Sequence, residues 1–366
     1  MKLQRKPLAL LLLIGFGHAL AATPAPELPP DEIVARVLRG NPGVQAAASQ
    51  IRVEEANRSR LEAGNYEWNV RLGGQQRRVR PASAGDEQFN EWNAAIERPL
   101  RLPGKGALDA ELGAGGVALA ETAYGDTLHE SSRSLLKLWF AWLKESASAS
   151  QWREQAALLG KQNAAVTRRQ QLGDAARLDS VQSEAALAQA EAQLAQASVR
   201  QQTAGEDLRR RFPGLPVVAP ATLSEPAAIA GSEEEWVNAL LEHSHELQLA
   251  RQEAKQARVF AGRSSHDRLP DPTVGLQVSR ERAGEERIIG AYVSIPLPGT
   301  ARRASSDAAL AMADGAARRE AATNQKIVAE AVALYQSAQA AVASWQASRH
   351  AGERLGRAAE MTARAY

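Results

Sequence analysis

The chain has 366 residues and carries 44 Lys and Arg against 42 Asp and Glu, a formal charge of +2. It has no cysteine, which excludes a disulfide or thiolate–metal framework and a cysteine-linked lipid anchor. The near-balanced charge, with no basic stripe interleaved with aromatics, excludes nucleic acid as a partner.

Residues 1–21 read as a secretory signal: basic Lys2, Arg5 and Lys6, an apolar run from Leu8 to Phe16, and the small-residue site Ala19-Leu20-Ala21, with cleavage before Ala22. The apolar run is shorter than the ~20 residues of a spanning helix. Loss of this segment removes three basic and no acidic residues, leaving 41 against 42 and a formal charge of −1.

From residue 22 onward the chain divides into two repeats, 22–230 and 231–366. The first opens with an expected helix over 31–63. Two segments of period-two alternation follow, at about 66–76 and 89–98, joined by a loop over 77–88 rich in charge, Gly, Ser and Pro. After the corner Leu102-Pro103-Gly104, a long helical hairpin is expected over 105–211, turning at Gly173-Asp174, with Gly in the left-handed conformation and Asp capping the returning helix. On the outgoing helix, Leu128, Leu135 and Trp142 form one apolar row and Leu138, Trp152, Leu159 and Val166 the next. On the returning helix, Leu178, Val181, Ala185, Ala188, Ala192, Ala195 and Val199 read as a coiled-coil seam, and Leu187, Leu194 and Leu208 lie on the opposite row. Two usable faces suit a helix with neighbours on both sides.

The second repeat starts at Ser232, whose spacing to Glu235 forms a capping box ahead of an expected helix over 232–262. Strands at about 273–281 and 287–296, the corner Pro298-Gly299 and a long helix over 301–366 follow. Val37, Leu38, Val44 and Ala47 match Leu240, Leu241, Leu247 and Ala250 at an offset of 203, and the Pro-Gly corners match at 195. No returning helix follows the second long helix. Each long helix is about 100 Å at 1.5 Å per residue. The fold class is therefore mainly α with a small β part.

The strands place Tyr66, Trp68, Val70, Leu72, Trp92, Ile96, Val274, Leu276, Val278, Ile289, Val293 and Ile295 on an apolar side, with polar residues alternating between them. One reading is two small sheets packed on helices. The other is a membrane barrel, because the lengths approach the ~9–11 residues of a tilted membrane strand. Four strands cannot close a barrel and an open edge in lipid leaves backbone groups unpaired, so in that reading several copies share one barrel.

No catalytic motif is present, and no cofactor or metal site is expected. His243-x-His245 is read as part of a solvated helix face, since residues two apart on a helix point to different faces. His129, His266 and His350 stand alone.

The doubled order of helix, strand pair, Pro-Gly corner and long helix resembles the TolC-like outer membrane efflux proteins. The phrases Leu269-Pro270-Asp271-Pro272-Thr273-Val274-Gly275, Ser294-Ile295-Pro296-Leu297-Pro298 and Arg98-Pro99-Leu100-Arg101-Leu102-Pro103-Gly104-Lys105 resemble its heavy-metal (CzcC-type) branch, as does Asn41-Pro42 the family at large. The resemblance implies a homotrimer with four strands per chain in a twelve-stranded outer-membrane barrel, continued by a periplasmic α-helical tunnel. It implies a passive exit duct for small cargo, with heavy-metal cations a candidate, and partners in a periplasmic adaptor, an inner-membrane transporter and outer membrane lipid. By the same resemblance Gly173, Asp174, Arg177, Leu178, Asp179 and Tyr366 belong to the adaptor-docking tip. Tyr366 stands where the family has a tyrosine just before its second tip, so the chain is expected to be C-terminally truncated. A periplasmic adaptor or coiled-coil scaffold is the alternative from another class. It would have one long hairpin flanked by halves of a β-domain. A type I secretion exit duct is a second alternative on the same fold.

Overall fold

Proline, glycine and capping side chains place the boundaries in the structure, a computed structural model that describes residues 27–80, 85–220 and 223–365. The signal segment and Tyr366 lie outside the described residues. In chain order the elements are α1 (Asp31–Arg39), α2 (Pro42–Ala63), β1 (Asn69–Val79), β2 (Glu87–Pro99), α3 (Lys105–Gln171), α4 (Arg177–Arg211), α5 (Glu233–His243), α6 (His245–His266), β3 (Thr273–Glu281), β4 (Glu286–Ser294) and α7 (Thr300–Ala365).

Each helix expected to open a repeat is in fact two. Asn41, held at ψ 129° by the following Pro42, ends α1 and caps α2 by accepting from the Gly43 amide at 2.9 Å. Ser244 does the same without a proline, at ψ 112°, accepting from the Leu247 amide at 3.1 Å. Asn41 and Ser244 lie 203 positions apart, the offset that aligns the apolar residues, so the break belongs to the repeat. At the start of α5 the expected capping box forms: Ser232 accepts from the Glu235 amide and its own amide donates to the Glu235 carboxylate.

The chain forms two units. One contains residues up to Val37 and Leu135–Pro226. Within it α3 buries Leu135, Trp142, Ala149 and Ala156 at sevenfold spacing. Its partner α4 buries Ala190, Ala197, Gly205 and Leu208. A Cβ at Gly205 would lie 3.4 Å from the Trp142 indole, so the glycine gives the ring its place. Polar pairs tie the hairpin: Ser183 to Asn163 at 2.7 Å and Arg200 to Glu145 at 2.9 Å. The seam is therefore the row of Leu187, Leu194 and Leu208 with its small neighbours. The row expected to form it, from Leu178 through Ala185 to Val199, is exposed.

The other unit contains Leu38–Ser134 and Ala227–Tyr366. Here α6 buries Leu247, Ala254 and Ala261, again seven apart, as it packs along α7, which buries Ala309 and Ala316. The four strands make one antiparallel sheet in the order β1-β2-β3-β4, with β2 pairing to β3 from Trp92↔Arg280 to Pro99↔Thr273. The two hairpins are thus halves of a single sheet rather than two separate ones. β1 starts at Asn69 and ends at Val79, shifted three residues toward the C-terminus from the expected 66–76.

The two faces of α4 give a direct test. Ala197→Leu, in the seam, is expected to lower stability by about 1–3 kcal/mol through overpacking. Ala192→Leu, on the exposed row, should change it by no more than about 0.5 kcal/mol in the single chain. Thermal unfolding followed by circular dichroism reads both.

Candidate functional site

Alternation along each strand and the register between strands bring the apolar residues to one side. Val70, Ile96, Leu276 and Ala291 are successive partners across the sheet, and so are Leu72, Ala94, Val278 and Ile289. Trp92 and Val293 share that face, as does Val274. Leu72 is 77% exposed and Ile289 70%, values that an apolar sheet face packed on a core would not show. Val274 and Val278 are half-buried. Trp68 precedes β1 and Ile295 follows β4, both exposed. Tyr66 stands apart from this set: it lies before β1 and its hydroxyl donates to Asp271 at 2.8 Å.

The opposite face is polar and internally bonded. Glu97 takes Arg71 at 2.9 Å, the Asn69 amide at 3.3 Å and the Tyr292 hydroxyl. Gly275 is the cross-strand partner of Tyr292, and a Cβ there would fall 2.4 Å from the phenol Cζ. Only glycine lets the ring lie across the sheet to Glu97. Toward the β3–β4 turn, Glu91 is buried and meets Arg77 at 3.2 Å and the Gln75 amide at 2.8 Å. It also accepts from the Arg282 backbone amide at 3.3 Å, and Arg77 bridges on to Glu281 at 2.7 Å. Arg282 and Ala283 take left-handed φ of 48° and 53°, strained for non-glycine residues, and the Glu91 contact holds the first of them.

A third cluster lies where strands give way to helices. Lys105, 1% exposed, places Nζ 2.9 Å from Asp271, 3.2 Å from Asp267 and 2.8 Å from the Leu269 carbonyl. Asp271 also accepts from the Leu102 amide at 3.0 Å and from Tyr66. Beside them Asp109 receives Arg263 and lies 3.7 Å from Arg101, whose guanidinium stacks on the Tyr66 ring. Three cations thus face three carboxylates. Burial alone would raise the Asp271 pKa, but Lys105, the Leu102 amide and Tyr66 together hold it below the usual carboxylate value. Asp267 is likewise lowered, against its burial, by Arg263 and Lys105. Tyr66 is pushed up to about 12 by burial and by donating to Asp271.

The turn between α3 and α4 lies in the other unit. Gly173 adopts φ 83° with open space around its Cα, and the Asp174 amide bonds the Arg169 carbonyl at 2.9 Å to close α3. Asp174 does not cap α4 as expected. Its carboxylate pairs with Arg169 at 3.1 Å, and Asp179 accepts from the Ala176 amide at the start of α4. Leu178 projects with Leu172 into solvent, and Arg177 is exposed as the first residue of α4.

His243 and His245 fall on either side of the break at Ser244, so they share no helix, and the His245 ring lies 5.6 Å from that of His129. Among the described residues no three His, Cys, Asp or Glu side chains converge as a metal-ligand set. Among them, too, no helix is long and apolar enough to cross a membrane, a statement that leaves strands open. The corner cluster was not legible beforehand, although Lys105 and Asp271 both sit in the phrases quoted for the family resemblance.

This architecture is the fold of a set of outer membrane channels. The chain superposes on a membrane protein of Pseudomonas aeruginosa at TM-score 0.68 and 17% identity, covering 91% of this chain and 81% of that one. CusC, whose structures concern transmembrane channel formation, gives TM-score 0.69 at 15% identity, with 89% and 81% covered. The outer membrane protein VceC of Vibrio cholerae gives 0.67 at 16%, with 89% and 82% covered. No protein-family profile matches the sequence, and no curated protein sequence does.

Removing the Lys105 charge, as in Lys105→Met, leaves three carboxylates facing two arginines and is expected to cost about 3–5 kcal/mol. Because Asp271 and Asp267 have lowered pKa values when folded, their contribution is complete above the unfolded carboxylate pKa of about 4 and is lost as pH falls through the folded values. Chemical unfolding between pH 3 and 7 should show that slope, and Asp271→Asn should flatten it.

Proposed function

We propose that this chain is the outer membrane channel subunit of a tripartite efflux system, a passive exit duct for small cargo that includes heavy-metal cations. The observation that carries the reading is the two-faced sheet. One face of strands 9 to 13 residues long carries a largely exposed apolar band, Val70–Leu72, Trp92–Ile96, Val274–Val278 and Ile289–Val293, which gives way toward the turns to Gln76, Arg78, Gln88, Asn90, Arg280 and Arg287, and the other face is an ion-paired polar surface. Such a sheet suits lipid on one side and water on the other. The likeness in fold to outer membrane channels supports the same assignment.

With β1 and β4 at open edges, a single chain would leave backbone groups unpaired in hydrocarbon. Three copies, each adding β1 to the β4 of a neighbour, would close a twelve-stranded barrel. The exposed row on α4 supports neighbouring helices in the same assembly. The turn around Gly173, Asp174, Arg177, Leu178 and Asp179 is the proposed docking tip for a periplasmic adaptor, which would link the duct to an inner-membrane transporter. The exposed Leu172 and Leu178 supply an apolar contact there. Export by residues 1–21 and placement in the outer membrane, with the long helices in the periplasm, complete the reading. The duct performs no chemistry; it encloses a water-filled path, and the energy comes from the transporter.

Outer-membrane fractionation with heat-modifiable migration is expected for the native chain, and single channels should appear when the purified protein is added to planar bilayers. A protein recovered only in the soluble periplasmic fraction would favour the adaptor or scaffold reading. Deletion should sensitise cells to cobalt, zinc or cadmium more than to drugs. Unchanged metal tolerance with loss of a secreted polypeptide would favour a type I secretion duct.

A further inference from the structure

The charges of the sheet are sorted by face. Parity and register put every glutamate of the four strands, Glu87, Glu91, Glu97, Glu281 and Glu286, on the polar face. The charged strand residues of the apolar face are all arginines: Arg78, Arg98, Arg280 and Arg287. The polar face neutralises Glu91, Glu97 and Glu281 with its own Arg77 and Arg71. The apolar face holds no acid to do the same.

Arg98 stands at the corner end, where it lies over the Trp68 ring at 5.4 Å and donates Nε to the Tyr66 carbonyl at 2.8 Å. The other three gather at the turn end. Arg280 and Arg287 are directly opposite one another on β3 and β4, Arg280 is also the partner of Trp92 on β2, and Arg78 is the partner of Gln88 nearer the β1–β2 turn. Just past the strand ends Arg80 pairs with Asp86 at 3.4 Å and Arg282 with Glu286 at 3.3 Å. Arg78, Arg280 and Arg287 are exposed and have neither an ion pair nor a side-chain hydrogen bond among the described residues. The Arg280 guanidinium lies over Gly284, at φ 107°, where a Cβ would fall 2.7 Å from Nε and Nη2. Like charges directly opposite on two strands repel, so this pair destabilises the sheet until an anion lies between them.

We infer that the turn end of the apolar face binds the phosphate groups of a lipid headgroup, with Arg78, Arg280 and Arg287 as the phosphate ligands. The guanidinium fork matches phosphate oxygens in pairs, which an ammonium does not. An arginine facing lipid is costly at the middle of a bilayer and nearly free at its boundary, and a tryptophan such as Trp92, 47% exposed, belongs at that same level. The inference rests on the channel reading, which puts this face in lipid and the turns, opposite the helices, at the outer surface. In the ring proposed above, β1 of one copy adjoins β4 of the next, which sets Arg78 and Arg287 on adjoining strands. The occupant is a lipid that carries phosphate monoesters, since these offer more charge and more free oxygens than a phosphodiester.

The full chain, purified in detergent, is titrated with lipid A carrying both phosphates, and bound lipid is measured by native mass spectrometry. Arg280→Gln combined with Arg287→Gln should weaken binding at least tenfold, and either change alone at least threefold, which keeps the test open if the double variant fails to fold. Arg98→Gln removes the same charge from the far end of the same face and should leave the affinity within twofold. Lipid A stripped of its phosphates should bind the native chain no better than intact lipid A binds the double variant, and a large excess of inorganic phosphate should not displace the lipid. Unchanged affinity in the variants, equal binding of the stripped lipid, or displacement by inorganic phosphate would overturn the inference. Absence of the chain from outer-membrane fractions would instead overturn the channel reading, whereas a chain recovered there with unaltered lipid A binding in the variants sinks this inference alone.

Discussion

The structure turns on a buried ammonium. Lys105, at the first turn of α3, cannot be removed from water without partners, and it finds them in Asp271, Asp267 and the Leu269 carbonyl just ahead of β3. Asp271 in turn holds the Leu102 amide just after β2 and the Tyr66 hydroxyl just before β1. The Leu100 amide adds a backbone bond to the Pro272 carbonyl at 2.7 Å. All of these contacts sit at one end of the β2–β3 pair. That pair joins the two repeats, and without it each hairpin would be an isolated two-stranded ribbon, which is marginal alone. A buried ion pair adds little net stability over an apolar substitute, but breaking one leaves an uncompensated charge. The cluster therefore acts as a register pin. It makes mispairing of β2 on β3 expensive, and a slip of one residue would turn every apolar side chain to the polar face.

Register matters because neither face can stand in for the other. The polar face satisfies itself with the Arg71–Glu97–Tyr292 group and the Glu91–Arg77–Glu281 group, each drawing on residues from both hairpins. Charges paired in this way line a surface without presenting one dominant sign. Under the proposed reading such a lining selects weakly, and specificity would fall to the partner that loads the duct. The apolar face, with Leu72, Leu276 and Ile289 largely exposed, depends on its surroundings.

What could be read from the chain beforehand follows from which signals are local. The face of each strand residue was legible because period-two alternation fixes parity, and parity survives an error of three residues in where β1 begins. The helix break at Asn41 carries a proline, yet its counterpart at Ser244 carries none, and a continuous apolar period ran through both. On α4 both rows are apolar at sevenfold spacing, so periodicity alone could not say which one meets α3. Packing selects the row containing Ala190, Ala197 and Gly205, where small side chains admit Trp142. The corner cluster was invisible for a different reason. The contacts that join its two halves span 154 to 205 positions, and charges in Pro-rich turns are ordinarily solvated.

The two repeats also separate what a duplicated backbone dictates from what side chains decide. Both copies break their opening helix at equivalent residues, and both fix the preceding segment to a long helix through an aromatic donor, Trp139 in one and Tyr335 in the other. They differ in the residues at that junction. In the first copy Leu208, Phe212 and Leu215 are buried, Gly214 sits against Val37, and Trp139 is 3% exposed with its indole N–H satisfied. In the second, Leu334 stands at the place of Trp139 and is 58% exposed. The two donors are not at matched positions, since at the offset of 195 Trp139 aligns with Leu334 and Phe140 with Tyr335, so the duplicated backbone keeps the bond while the residue that makes it has moved by one.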